Sequence, residues 1–275
     1  MIPAPFEYQR VGFVEHAIEL LTDHADAKII AGGHSLLPLM RLRLARPSML
    51  VDIGRIQDLK YVKEHGDQIA IGALTRHHDV ATSEMLQQLC PIVAYAASGI
   101  GDPQVRHLGT IGGSCAHGDP ASDMPAVLVA LGAELVIRGA NGASRTVPAG
   151  EFFRGLFEPD LAPNEVLTEI RVPKIEGRGW GYLKFQRRAQ DWALVGVAAL
   201  TGNGGPAVVL TNMADRPIRA VGVEEALAGG ADPATASERA AEGTSPPSDA
   251  FASAEYRREL VKVLVRRALE EAMSQ

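Results

Sequence analysis

AGGHSLLPLMRLRLARPSMLVDIGRI, residues 31–56, opens with paired glycines beside a histidine and a serine and closes on a short apolar run. Just before it, HAIELLTDHAD (16–26) places Ala17, Leu20 and Leu21 on one helical face, and AKII reads as a buried strand entering the glycine turn. SMLVDIGRI reads as a second buried strand, closed by Gly54. Helix, strand, turn and strand in so short a span predict a small α/β unit with its glycine turn at a strand end, where α/β sheets bind ligands. Paired glycines reach positive φ and let amide N–H groups converge on an anion. Ser35 adds a hydroxyl and His34 another donor. The competing reading of the same residues is a tight turn with a helix N-cap.

Further along, LKYVKEHGDQIAIGALT predicts two strands joined by a His-Gly-Asp turn. TRHHDVATSEMLQQLCPIVAYAASGIG is helical in pattern and broken at Pro91. A glycine-rich segment then feeds a helix from about Ser122, and AELVIRG with its ANG turn predicts a hairpin. Near residue 175 a second compositional unit begins. There LKFQRRAQDWALVGVAAL and PAVVLTNM predict antiparallel strands around the turn TGNGG. AVGVEEALAG predicts a helix, AEGTSPPSDAFAS a loop or a local disordered insert, and AEYRRELVKVLVRRALEEAM a final helix with the stripe Leu260, Val263, Leu264 and Leu269.

Composition narrows the function. The chain has 275 residues, 46% of them hydrophobic, enough for more than one subdomain. Lys and Arg number 27 against 33 Asp and Glu, a net charge of -6 with no long basic run, so no nucleic-acid surface is expected. Cys90 and Cys115, the only cysteines, are too few for a disulfide framework or a thiolate cluster and fit a reducing cytoplasm. No basic-then-apolar leader and no transmembrane segment is visible.

A second segment, GTIGGSCAHGDPASD (109–123), repeats the first in composition: paired glycines, a hydroxyl, a histidine, then acids. Two such segments suit a large phosphate-bearing ligand gripped from both sides. Neither GxGxxG nor GxxxxGK occurs, which argues against an ordinary dinucleotide fingerprint and a P-loop. His34, His77, His78, His107, His117, Asp102, Asp119 and Asp123 lack any HxxxH or HExxH spacing, and no metal site is expected. Ser35 and Ser114 lack the GxSxG nucleophile elbow.

Taken in order and spacing, AGGHSLLPLMRLRLARPSMLVDIGRI, TIGGSCAHGDPASDMP and LKFQRRAQDWALVGVAA resemble the FAD-binding medium subunit of molybdenum hydroxylases. The likeness is strongest to aerobic carbon monoxide dehydrogenase medium chains, within the xanthine dehydrogenase family, and covers essentially the whole chain. It implies an α+β fold: a bipartite FAD-binding domain over residues 1–174, with a small α/β subdomain (about 1–56) and a larger α+β subdomain (57–174). A C-terminal domain of antiparallel strands and helices follows at 175–275. It also implies that Ala31, Gly32, Gly33, His34, Ser35 and Leu36 line the FAD pyrophosphate from one side, and Thr110, Ile111, Gly112, Gly113 and Ser114 from the other. Asp123 matches an acid on the adenosine side, where a carboxylate suits a ribose diol. Leu161 and Lys184 match positions near the flavin ring, and Trp192 an aromatic on the loop bordering the isoalloxazine, where some relatives carry a nearby tyrosine instead of this chain's QDW.

Some of these residues also have plainer readings: Lys184 as a solvated lysine ending a strand, Trp192 as a cover for the domain junction. Arg41, Arg43 and Arg46 are read either as contacts to a partner or as solvent-facing charge, and Arg106 and His107 as fixing the approach of the second glycine segment or reaching a phosphate. The implied function is electron transfer without a catalytic residue. A molybdenum cofactor on a large subunit oxidises the substrate, two [2Fe-2S] clusters on a small subunit carry the electrons, and non-covalent FAD here passes them to an external acceptor. The implied assembly is a dimer of heterotrimers. Two rival readings are a stand-alone FAD-dependent oxidoreductase and a flavin-free structural or assembly protein of the same fold.

Overall fold

The computed structural model describes residues 2–275. Its first unit comprises β1 (Glu7–Arg10), α1 (Val14–Asp23), β2 (Lys28–Ile30), α2 (Leu36–Arg41) and β3 (Met49–Asp52). The three strands are parallel in the order β1-β3-β2. Met49, Leu50 and Val51 make β3 the buried centre, and α1 covers it with Val14, Ala17, Ile18 and Leu21. Leu20, expected on that face, only flanks it. Nor is β2 the buried strand its apolar run predicts: Lys28 is exposed and Ile29 and Ile30 are half-buried. As an edge strand it borders a cleft instead of a neighbour.

Next come β4 (Val62–His65), β5 (Gln68–Gly72), α3 (His77–Ala81), α4 (Glu84–Leu89), α5 (Pro91–Ser98), α6 (Pro103–Leu108), α7 (Ile111–His117) and α8 (Asp123–Leu131). β6 (Glu134–Arg138), β7 (Ser144–Pro148), α9 (Ala149–Phe152), the small pair β8 (Phe153–Gly155) and β9 (Glu158–Pro159), and β10 (Val166–Pro173) complete the unit. Five strands form an antiparallel sheet in the order β4-β5-β10-β6-β7. Its hairpins turn where expected, on Gly66 and on Asn141–Gly142, all at positive φ. The helical stretch breaks at Pro91, which opens α5, and also at Ser83, whose hydroxyl caps α4.

Within the second glycine segment, Ile111–His117 form a helix, α7. Thr110 caps α7 by accepting from the Gly113 N–H at 3.1 Å. Gly112 is required by packing, since a Cβ there would stand 2.5 Å from that of Ala73. α8 follows from Ser122, as its apolar run predicts, and is buried along its whole length.

The last unit contains β11 (Trp180–Phe185), β12 (Val195–Leu200), β13 (Ala207–Thr211), β14 (Ile218–Arg219), α10 (Val221–Ala228), α11 (Pro233–Ser237) and α12 (Ala254–Met273). The strands are antiparallel in sequence order. The stretch 183–200, read as one strand, is divided by a loop at 186–194. VGVAAL of β12 is buried on both faces. Ala198 and Leu200 join the core around α8, while Val197 and Ala199 join the layer under α12. α12 turns Val261, Leu264, Val265, Ala268, Leu269 and Ala272 inward, and Val263, expected in the stripe, is 46% exposed. The helix lies so close to β11 that a Cβ on Gly181 would meet the Ala268 carbonyl oxygen at 2.2 Å.

That approach is testable. Gly181→Ala should lower the unfolding free energy by about 1–3 kcal/mol. Gly150→Ala, with no atom within 4 Å of its added Cβ, should be neutral or stabilise by up to about 1 kcal/mol. Urea unfolding of both variants checks the contrast, and equal effects would contradict the packing described.

Candidate functional site

A cleft of about 840 Å³ opens where the three units meet, within the range of roughly 300–1,000 Å³ usual for ligand sites. Ala31 to Leu36 line it from the first unit, Thr110, Gly112, Gly113, Ser114, Asp123 and Leu161 from the second, and Lys184 and Trp192 from the third. Ile111 alone of the expected site residues is absent from the wall, because its side chain points into the core beneath α7.

Two backbone segments meet at the centre. A Cβ on Gly32 would stand 2.3 Å from the Leu108 carbonyl oxygen and 2.8 Å from the Gly109 Cα, so this glycine serves the contact between the two turns. Gly33 follows at φ 75°, a left-handed conformation that turns the chain into α2. Among the described residues the N–H groups of Gly32, Gly33, His34 and Ser35 have no partner. Ser35 makes no side-chain cap to α2, which removes the plain N-cap reading.

The second segment is different. Its amides at Ile111 and Gly112 donate to Thr75 and Ala73 carbonyls at 3.0 and 2.9 Å, Gly113 donates to Thr110 Oγ1, and Ser114 to the Thr110 carbonyl at 3.0 Å. What it offers the cleft is the exposed Gly113 and the partly exposed Ser114. The approach to α7 is fixed from below: Arg106 donates to Ile100 and Gly101 carbonyls at 3.0 and 3.1 Å, and Arg76 donates to that of Leu108. His107 instead stacks on His78, ring centroids 4.0 Å apart. Asp102 caps α6 and Asp119 accepts from Ala121 N–H, both local structural bonds.

At the other wall a buried polar cluster crosses from the second unit to the third. Lys184 Nζ donates to Asp123 Oδ2 at 3.1 Å and to the Gly99 carbonyl at 3.3 Å, and Tyr182 donates its hydroxyl to Asp123 Oδ1 at 2.5 Å. The side chains of Lys184 and Asp123 are 9% and 5% exposed, so Lys184 is no solvated lysine. Burial raises the Asp123 carboxyl pKa, opposed by Lys184 and by the Tyr182 hydroxyl. The resemblance sets Asp123 on the adenosine side and Lys184 near the flavin ring. In the structure they touch, and each Asp123 oxygen accepts a hydrogen bond from within the chain. Leu161 is held in the wall by Arg145, which donates to Glu165 at 2.9 and 2.7 Å and to Asp160 at 3.0 Å. Trp192, 53% exposed, stands at the mouth.

Three residues of this site escape sequence reasoning. Tyr182 shares a face of β11 with Lys184, a spacing of two that the strand pattern offers. Ser122 precedes α8 at its N-cap, yet its Oγ is buried without a partner beside the cleft. His77 lines the cleft floor, its Nδ1 buried and unpartnered and its Cδ2 against Gly109. Nothing in RHHD marks it.

The sequence matches the family described as "FAD binding domain in molybdopterin dehydrogenase" over residues 4–175 and "CO dehydrogenase flavoprotein C-terminal domain" over 180–272. It is 42% identical to the carbon monoxide dehydrogenase medium chain of Hydrogenophaga pseudoflava, covering 99% of this chain and 98% of that one. The chain belongs to the FAD-binding medium subunits of the molybdenum hydroxylases. Another such subunit, the glyceraldehyde dehydrogenase medium chain of Sulfolobus acidocaldarius, is 39% identical, with 98% of this chain and 99% of the relative covered. In structure, carbon monoxide dehydrogenase from Hydrogenophaga pseudoflava lacking the Mo-pyranopterin moiety superposes with a TM-score of 0.95 at 43% identity, covering 100% of this chain and 99% of that one.

The residues of this medium subunit fit a dinucleotide. Consecutive unpaired amides at 32–35 are donors of the kind a pyrophosphate needs. Cys90 and Cys115 are buried, their thiol pKa values pushed up to about 12 by desolvation, which keeps both unreactive.

Burial also pushes the His77 pKa down from 6.5 to about 4, with His34, Arg106 and Arg76 adding to the effect. Below pH 6.5 the unfolded chain protonates this ring while the folded chain resists, so its contribution, complete above pH 6.5, is lost as pH falls toward 4. The stability advantage of wild type over His77→Asn, measured by urea unfolding without FAD, should shrink by roughly 3 kcal/mol between pH 7 and 4. Parallel pH profiles would contradict a buried, neutral His77.

Proposed function

We propose that this chain is the electron-transferring flavoprotein subunit of a three-subunit oxidoreductase. In this reading residues 1–174 bind FAD non-covalently and residues 175–275 close the cleft with Lys184 and Trp192. The observation that carries it is the run of unpaired amides from Gly32 to Ser35 at the end of β2, facing a cleft large enough for a ligand of this class.

Bound FAD supplies the conversion between single electrons and electron pairs. The protein supplies position. The amides of Gly32 to Ser35 hold the pyrophosphate, with Ala31 and Leu36 flanking them and Gly113 and Ser114 facing them. Leu161 and Trp192 border the ring. Lys184, neutralised by Asp123, gives the ring a hydrogen-bond donor without a free positive charge. No side chain needs to act as acid or base on a substrate.

Electrons would arrive from two [2Fe-2S] clusters on a small subunit, fed by a molybdenum cofactor on a large one, and leave to an external acceptor. The supporting observation within this chain is that its two cysteines are buried and separate, so a thiolate-bound cluster must lie elsewhere. Arg41, Arg43 and Arg46, which make no ion pair among the described residues, would face a partner. We read the assembly as a dimer of heterotrimers in the reducing cytoplasm, consistent with free thiols. No described helix is long and apolar enough to cross a membrane.

The purified chain should show the two visible absorption bands of a flavin and release FAD on heating. Gly33→Val, which puts a β-branched residue at φ 75°, should weaken FAD binding about tenfold. Equilibrium titration checks both. A folded, colourless wild-type chain that refuses added FAD would overturn the proposal.

A further inference from the structure

Two walls of the cleft come from different units, and one residue, through its main chain and its side chain, bonds to the backbone behind both. Asn212 follows β13 and sits at φ 60°, a left-handed conformation that Asn tolerates better than most residues. Its N–H donates to the Pro120 carbonyl at 2.9 Å. Its Nδ2 donates to the Ala193 carbonyl at 2.8 Å and to that of Leu194 at 3.3 Å. Ala193 immediately follows Trp192, and Pro120 lies in the turn leading to Ser122 and Asp123.

A second group supports the same point. Arg257 on α12, wholly buried, donates Nη1 to the Leu194 carbonyl and Nη2 to Asp249 at 2.6 Å. The Leu194 carbonyl therefore has two donors, which fixes the C-terminal root of the 186–194 loop. Among the described residues only Asn212 hydrogen-bonds that root to the Pro120 turn, because Arg257 bonds to neither Pro120 nor its neighbours. An amide is the right group here, since its two N–H protons meet two carbonyls, whereas a carboxylate would face them with like charge.

We propose that Asn212 is a positioning residue that sets the spacing between Trp192 and the Asp123–Lys184 pair, and so shapes the flavin end of the cofactor site. This rests on the FAD reading above. Asn212 does not line the cleft and touches no cofactor itself.

The test uses the full chain with Trp180→Phe, which leaves Trp192 as the sole tryptophan. Without FAD, acrylamide quenching and emission anisotropy report the mobility of Trp192. With FAD, titration reports affinity and visible circular dichroism reports the environment of the ring. Asn212→Gly keeps the left-handed backbone and the N–H to Pro120 but removes both side-chain donors. It should make Trp192 more quenchable and less anisotropic in the FAD-free protein, weaken FAD binding roughly five- to thirtyfold, and alter the flavin circular dichroism. Asn212→Asp should do at least as much.

An Asn212→Gly protein with Trp192 mobility, FAD affinity and circular dichroism equal to those of its parent overturns the inference. So does a loss of stability with no change in those three readouts, which marks Asn212 as merely structural. Should the parent fold but bind no FAD, the cofactor reading fails. The FAD-free Trp192 mobility then decides separately whether Asn212 holds the loop.

Discussion

Where Gly32 meets Leu108 and Gly109, backbone lies against backbone with no room for a Cβ. This contact joins the turn after β2 to the junction of α6 and α7, two segments far apart in the chain, and makes one cleft of them. The α7 side is held rigid by Arg76 and Arg106 bonding to carbonyls and by the Ile111 and Gly112 amides bonding to the strand end at Ala73–Thr75. With those amides already paired, only the first turn keeps a run of donors free. The symmetry that two glycine segments suggest in the sequence becomes a division of labour: one segment presents N–H groups and the other braces them.

The electrostatics follow from that division. Among the described residues Lys28 and Lys184 are the only lysines in the cleft wall, and no arginine lines it. Lys184 is neutralised by Asp123, and His77 is kept uncharged by burial. An anion in this site would be held chiefly by backbone dipoles, which do not titrate and need little reorganisation. The C-terminal unit completes the site by carrying Tyr182 and Lys184 on one face of β11, so that docking of its sheet on α8 brings both onto Asp123. A buried carboxylate with one partner removed would be strongly destabilising, so the ion pair also ties the two units together.

Much of this was legible in the residues. Period-two and helical patterns located β3, the β4–β5 and β6–β7 hairpins, α8 and α12, because each is a regular element with one dominant buried face. The glycine turn at 31–36 was legible because left-handed backbone leaves a compositional mark. Errors arose where tertiary packing decides. AKII has the composition of a central strand but lies at an edge, and Val263 is apolar yet faces outward. TIGG looks like a loop, but Thr110 caps it into a helix and Gly112 is there for packing against Ala73. His77 and Ser122 carry no local signal of their place in the cleft, and Tyr182 only its spacing of two from Lys184, since their roles depend on residues tens of positions away. The contact of Asp123 with Lys184 was invisible for the same reason.

On this reading the unpaired amides at Gly32 to Ser35, and not those of the TIGG segment, hold the cofactor's pyrophosphate. Residue-resolved amide hydrogen exchange with and without FAD tests it directly. Fast exchange is expected at Gly32, Gly33, His34 and Ser35 without FAD and strong protection with it, while Ile111 and Gly112 remain protected in both states. Protection by FAD that appears at 111–114 and leaves 32–35 unchanged would contradict it.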